Sequence, residues 1–143
     1  MPTGLHEILR SHRHVHHKGG PASGGLAIWQ QYLVATYIEK HLTRPIRLGA
    51  LSNLVYLSSG SFWRAFKRTF GVTPRRYHLN RRMARAITLL EDPSWSVNEI
   101  GPALGFVKTS AFLAAFHRAT GTDPRTYRRK LGVAAGRPAM EAY

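Results

Sequence analysis

From Ala27 onward, apolar residues recur at intervals of three and four, without the sustained alternation of a half-buried strand. That spacing predicts an all-α fold. Ile28 to Leu42 (IWQQYLVATYIEKHL) reads as a first helix ending before Pro45, and Leu48, Leu51 and Val55 line one side of a short second helix. Ser58 or Ser59 can cap a third, which carries Phe62 and Phe66 and stops at Gly71. Pro74 suits the first turn of a fourth, PRRYHLNRRMARAITLLE. This rod places Leu79, Met83, Ala86, Ile87 and Leu90 on one side and His78, Arg81 and Arg85 on the other. Ser96-Val-Asn-Glu99 is a capping-box pattern that opens a fifth helix, ended by Leu104-Gly105-Phe106. A sixth runs from Thr109 to Thr120 before Gly121, and a seventh begins at Pro124 and ends near Leu131.

Two of these segments repeat one phrase. SFWRAFKRTFGVTPRRY (61–77) and AFLAAFHRATGTDPRTY (111–127) agree at Phe62/Phe112, Ala65/Ala115, Phe66/Phe116, Arg68/Arg118, Gly71/Gly121, Pro74/Pro124, Arg75/Arg125 and Tyr77/Tyr127. The short helices ahead of them also correspond, at an offset one residue smaller: Leu48/Val97, Leu51/Ile100 and Val55/Leu104. The repeated unit is a short helix, a tight turn, a longer helix, a Gly stop and a Pro start, which is the order of a helix-turn-helix. Its second helix can lie in a DNA major groove. The 18 residues of the rod from Pro74 to Glu91 would span roughly 27 Å, comparable with the spacing of about 34 Å between successive major grooves. Two units are too few for a solenoid. The Phe pairs share a face at i and i+4 and belong to the core rather than to a readout surface.

The second unit and its exit, SVNEIGPALGFVKTSAFLAAFHRATGTDPRTYRR, resemble the AraC/XylS family of bacterial transcription regulators. IEKHL, FKRTFGVTPRRY and RRMARAITLL are similar to the corresponding family segments, and the likeness covers residues 30–130. It implies a seven-helix domain with two helix-turn-helix units joined by a linker helix, binding operator DNA to regulate, and specifically to activate, transcription. On that basis the domain spans 27–131, with a first unit at 46–73, linker helix 74–91, second unit 95–122 and last helix 124–131. The positions that read bases in the family fall on Gly60, Trp63 and Arg64, and on Thr109, Ser110 and Ala114. Basic and hydroxyl side chains flanking these helices are expected at phosphate: Arg47, Ser59, Lys67, Arg68, Arg75, Arg76, Lys108, Arg118 and Arg125.

Charge fits this picture and sharpens it. The chain of 143 residues carries a net +14 and a pI near 11.3, which forecasts an anionic partner, nucleic acid before membrane. The two units differ. Residues 27–91 hold 11 basic against 2 acidic side chains, residues 92–131 only 6 against 3. Arg64 can pair bidentately with guanine, whereas its counterpart Ala114 offers at most a methyl contact to thymine. The expected readout is therefore asymmetric. Two local departures stand out: Pro102 inside the fifth helix, and Tyr56 in the first turn where the family often has Gly.

Residues 1–26 differ in texture, with HRHVHHKGG followed by PASGGL. His12, His14, His16 and His17 could ligate a metal, yet nothing there fixes a coordination geometry. The segment reads as a flexible basic arm, and residues 132–143 as a tail. No metal or cofactor is expected. The absence of cysteine excludes disulfides and thiolate metal sites, and no apolar run approaches the roughly 20 residues of a membrane span. A soluble, cytoplasmic, nucleoid-associated protein is expected, with RNA polymerase as a further partner that the resemblance implies. Only 26 residues precede the domain, too few to enclose a small effector, so a minimal regulator and a fragment of a longer one both remain open. Two units in one chain make binding as a monomer sufficient. Scattered acidic residues and the lack of a Gly-rich phosphate loop argue against an enzyme. The rival functions are a non-specific nucleic-acid coat and a docking module for polymerase or another regulator.

Overall fold

The computed structural model describes residues 24–132, and the His-rich arm and the C-terminal tail lie outside that range. The described residues form seven helices and no strand: α1 Ile28–Lys40, α2 Leu48–Leu54, α3 Ser59–Phe70, α4 Pro74–Leu90, α5 Val97–Ala103, α6 Thr109–Thr120 and α7 Pro124–Leu131. They divide into two compact units. The first holds α1 to α3 with the first turn of α4, and the second holds the rest of α4 with α5 to α7 and residues Leu42–Arg44.

In the first unit Val34, Ile38, Leu51, Val55, Phe62, Ala65 and Phe66 are buried. Leu26, at the end of the expected arm, belongs to this core and is wholly buried. Its N–H donates to Thr69 Oγ1 (2.7 Å) and its carbonyl accepts from Gln31 Nε2 (2.9 Å). The core thus includes a residue that precedes the change in sequence texture. Ala27 supplies no side-chain cap to α1, and Gln30 at the third helical position makes only the return bond of a capping box, accepting from the Ala27 N–H at 2.8 Å.

The second unit is built on Met83, Ala86, Leu90, Ile100, Leu104, Phe112, Ala115 and Phe116. The repeated phrase gives repeated packing. Phe66 meets Tyr77 edge-on at 5.5 Å and 88°, and Phe116 meets Tyr127 at 5.6 Å and 88°. The helices that bear them end alike, on left-handed Gly71 and Gly121 whose N–H groups return to the carbonyls of Lys67 and His117.

One position on the rod differs from expectation. His78 is buried, not on the outer side with the exposed Arg81 and Arg85. The first turn of α4 packs within the first unit while the rest packs within the second, so no single helical stripe describes its buried residues. The fifth helix runs through Pro102 and is opened by Glu99, whose Oε1 accepts from the Ser96 N–H at 2.9 Å.

Candidate nucleic-acid interface

In each unit the short helix and the following turn hold one side of the longer helix, leaving its other side to solvent. On α3 the exposed positions include Ser59, Gly60, Trp63, Arg64, Lys67 and Arg68, and the spacing places 59, 60, 63, 64 and 67 on one face. On α6 the corresponding positions are Thr109, Ser110, Leu113, Ala114 and His117, with Lys108 ahead of them and Arg118 behind. Arg47 at the start of α2, Arg75 and Arg76 in the first turn of α4, and Arg125 in α7 are also exposed. Every residue that the sequence nominates for base or phosphate contact is therefore at the surface.

The two faces differ in chemistry. On α3 the Lys67 ammonium lies over the Trp63 ring, 5.4 Å from its centroid. A Cβ at Gly60 would stand 3.4 Å from Arg64 Nη1, so the guanidinium folds back over the bare backbone at residue 60. That brings the Arg64 fork toward the N-terminal end of α3, the end from which helix-turn-helix proteins contact base edges. Nothing comparable exists on α6, where Leu113 and Ala114 replace Trp63 and Arg64.

The starts of the two helices differ as well. Ser58 Oγ accepts from the Ser61 N–H at 3.2 Å and caps α3. Lys108 occupies the equivalent place before α6 and makes no side-chain cap.

The turns show a third contrast. Tyr56 has φ +60°, the left-handed conformation that its counterpart Gly105 adopts at φ +90°. Tyr56 is 86% exposed, so its side chain has room and the strain is confined to the backbone. At Gly105 there is no room: a Cβ there would overlap the Thr43 carbonyl, whose carbon would lie only 2.8 Å away.

Sequence reasoning missed two cations that serve the scaffold. Arg128 is 3% exposed and donates from Nε to the Leu90 carbonyl (3.0 Å) and from Nη2 to the carbonyls of Leu89 and Asp92 (3.3 Å each). It closes the C-terminal end of α4, where carbonyls lack helical partners and the helix dipole favours a cation. Burial holds its guanidinium below the usual arginine value, with the Asp92 carboxylate pulling the other way. Arg82 donates from Nη1 to the Leu104 carbonyl (3.3 Å) and lies over the Phe106 ring at 4.3 Å, and burial lowers its value also. No sequence signal separates Arg128 from the exposed Arg129 and Lys130 after it, and its counterpart in the repeat, His78, also reads as an outer residue although both prove buried.

Within the second unit a groove of about 430 Å³ is bordered by Val97, Pro102, Phe106, Phe112, Leu113 and Arg125. Among the described residues no group of three or more His, Asp or Glu could hold a metal ion, and no helix is long and apolar enough to cross a membrane. The His12, His14, His16 and His17 cluster lies outside the described residues.

A tandem pair of helix-turn-helix units, each with its longer helix open to solvent, defines a module of the DNA-binding class. Comparison with known proteins specifies it further. A family model described as a helix-turn-helix domain matches residues 51–130, and the chain belongs to the AraC-type helix-turn-helix family. It is 33% identical over 95 residues to the probable transcriptional regulator LumQ of Photobacterium leiognathi, a match covering 66% of this chain and 38% of LumQ. An AraC-type transcriptional regulator structure from Chromobacterium violaceum superposes with a TM-score of 0.65 at 27% identity, covering 71% of this chain and 90% of the other. The DNA-binding domain of the global transcriptional factor AdpA, solved in complex with a target DNA, gives 0.63 at 28% identity, with 71% and 90% covered. The chain spans little more than a third of the length of LumQ.

Proposed function

We propose that this protein is a sequence-specific DNA-binding transcription regulator that inserts α3 and α6 into adjacent major grooves. The observation that carries this reading is the duplicated unit, in which both longer helices bury Phe-x-x-x-Phe and expose the opposite face amid arginine and lysine. Trp63, Arg64 and the backbone at Gly60 read bases from α3, and Thr109, Ser110 and Ala114 do so from α6. Ser59 and the cations Arg47, Lys67, Arg68, Arg75, Arg76, Lys108, Arg118 and Arg125 hold phosphate. Double-stranded DNA is the partner, a single chain suffices for binding, and the cytoplasmic nucleoid is the place of action. Activation rather than repression follows the family resemblance.

Readout is asymmetric in this proposal. The first unit supplies most of the base discrimination through Arg64, worth about 1–3 kcal/mol at a guanine. The second contributes more to positioning. Selection of duplexes from a random pool, with wild type and Arg64→Ala in parallel at near-physiological salt, tests both statements. One enriched motif with a strong and a weak half is expected, and Arg64→Ala relaxes the strong half alone. Salt-sensitive binding with no enriched motif would mean that the protein merely coats nucleic acid.

The groove bordered by Phe106 and Leu113 favours one second reading, in which the second unit contacts RNA polymerase instead of DNA. Substitution at Val97 or Pro102 would then lower transcription in a reporter without lowering DNA affinity.

A further inference from the structure

The turns of the two units differ by one residue. With Ser58 and Lys108 paired as the residues ahead of the longer helices, and Leu57 with Phe106 by the offset of the shorter ones, the extra residue is Val107, which is 97% exposed. It sits immediately before Lys108, at the entrance to α6. Leu113 is 41% exposed on the same helix, and Ala114, which follows it, is exposed too. A single exposed aliphatic side chain is ordinary. Here Leu113 and Ala114 occupy the positions where α3 carries Trp63 and Arg64, so the middle of one recognition face is aliphatic, between Thr109 and Ser110 ahead and His117 behind, while the other carries an indole and a guanidinium.

Exposed cations frame this aliphatic stretch: Lys108 before it, Arg118 behind it and Arg125 on α7. The occupant must therefore be anionic at its rim and must offer small apolar groups inside that rim. Duplex DNA meets both demands, since phosphates border the major groove and each thymine presents a C5-methyl on its floor. We propose that α6 recognises thymine through its methyl group, with Leu113 and Ala114 as the contacting side chains and Val107 completing the dry surface at the start of the helix. This rests on the proposed reading of α6 as a groove-facing helix and adds to it the base class that the helix selects. The weak half of the binding site is then a thymine-bearing half, selected by methyl contact, while the Arg64 half is selected by hydrogen bonds.

The test uses the full chain and the duplex enriched by wild type. Parallel selections with Arg64→Ala and Leu113→Ala assign each half to its helix by which positions relax. Thymines of the Leu113-dependent half are then replaced one at a time by deoxyuridine, which keeps every hydrogen-bonding atom and removes only the methyl. Loss of one buried methyl is expected to weaken binding about fourfold. Two such thymines together give about fifteenfold. The same replacements in the Arg64-dependent half leave affinity unchanged, and Leu113→Ala protein no longer distinguishes thymine from deoxyuridine. A motif without thymine in that half, or one indifferent to deoxyuridine, overturns the methyl reading while sequence-specific binding stands. Failure to enrich any motif overturns both. The deoxyuridine comparison is made on wild-type protein, and the half that Arg64→Ala leaves unrelaxed is the α6 half, so it decides the matter even if Leu113→Ala folds poorly.

Discussion

Residues 56 and 105 occupy the same place in the two turns and the same half of φ space, so one pair of substitutions tests the physical account of both. Tyr56 holds φ +60° with its side chain in solvent. A left-handed backbone costs an L-residue about 1–2 kcal/mol. Tyr56→Gly removes that strain but gives the unfolded chain about 0.4–1 kcal/mol of extra conformational freedom. It also loses a loose ring contact with Trp29, whose centroid is 6.4 Å away. The balance is a stabilisation near 0.5 kcal/mol, by these magnitudes. Gly105→Ala has the opposite sign. It acquires the backbone strain and drives a Cβ into the Thr43 carbonyl, which is backbone and cannot rotate away. Left-handed strain plus overpacking of about 1–3 kcal/mol predicts a loss of about 3 kcal/mol. Urea unfolding followed by circular dichroism and tryptophan fluorescence measures both, at equal pH and salt and with m compared. Tyr56→Ala, which keeps the strain and lacks the ring, separates the two contributions at that site. If Tyr56→Gly destabilises by more than about 0.5 kcal/mol, or Gly105→Ala is neutral, strain and close approach do not govern these turns.

Three further outcomes are expected. Arg128→Met strands the carbonyls of Leu89, Leu90 and Asp92 and lowers stability by about 3 kcal/mol, and Arg128→Lys recovers only part, since one ammonium cannot span the three; equal denaturation midpoints for wild type and Arg128→Met would refute this role. Lys108→Ser supplies α6 with the cap that Ser58 gives α3, raising stability by about 0.5–1 kcal/mol, while DNA affinity falls and the salt slope lessens by about 0.9; a rise in both stability and affinity would remove Lys108 from the phosphate contacts. The Asp123 carboxylate is held below its ordinary 3.8 first by the Thr126 N–H and then by the Thr126 hydroxyl. Its folded value is depressed, so its stabilisation is fully present above the unfolded value and disappears as pH falls through the folded one. Asp123→Asn should therefore flatten the loss of stability below about pH 4, read as thermal midpoints across that range.

What the sequence determined by itself was local and repeated. Phe at i and i+4, a Gly stop and a Pro start describe one helix and its ends, and each is set by neighbours within a few residues. All seven helices followed from those short-range rules, while the nominated contact residues came from the family resemblance and lie at the surface. Comparing the two copies position by position also exposed the chemical difference between Arg64 and Ala114. Tertiary structure alone decided the rest. Arg128 meets carbonyls 36 to 39 residues away, a distance along the chain at which periodicity carries no information, so a cation that reads as surface charge proves to be scaffold. His78 is buried because the first turn of α4 packs in a different unit from the remainder, which no single helical stripe can express. Leu26 is core because Thr69 and Gln31 satisfy its backbone. Gly105 is required because the Thr43 backbone approaches it, whereas Tyr56 is tolerated because its side chain lies largely in solvent. For Arg128, for the Leu26 N–H on Thr69 and for Gly105 against Thr43, the deciding partner is remote in sequence and near in space, and only the folded chain brings the two together.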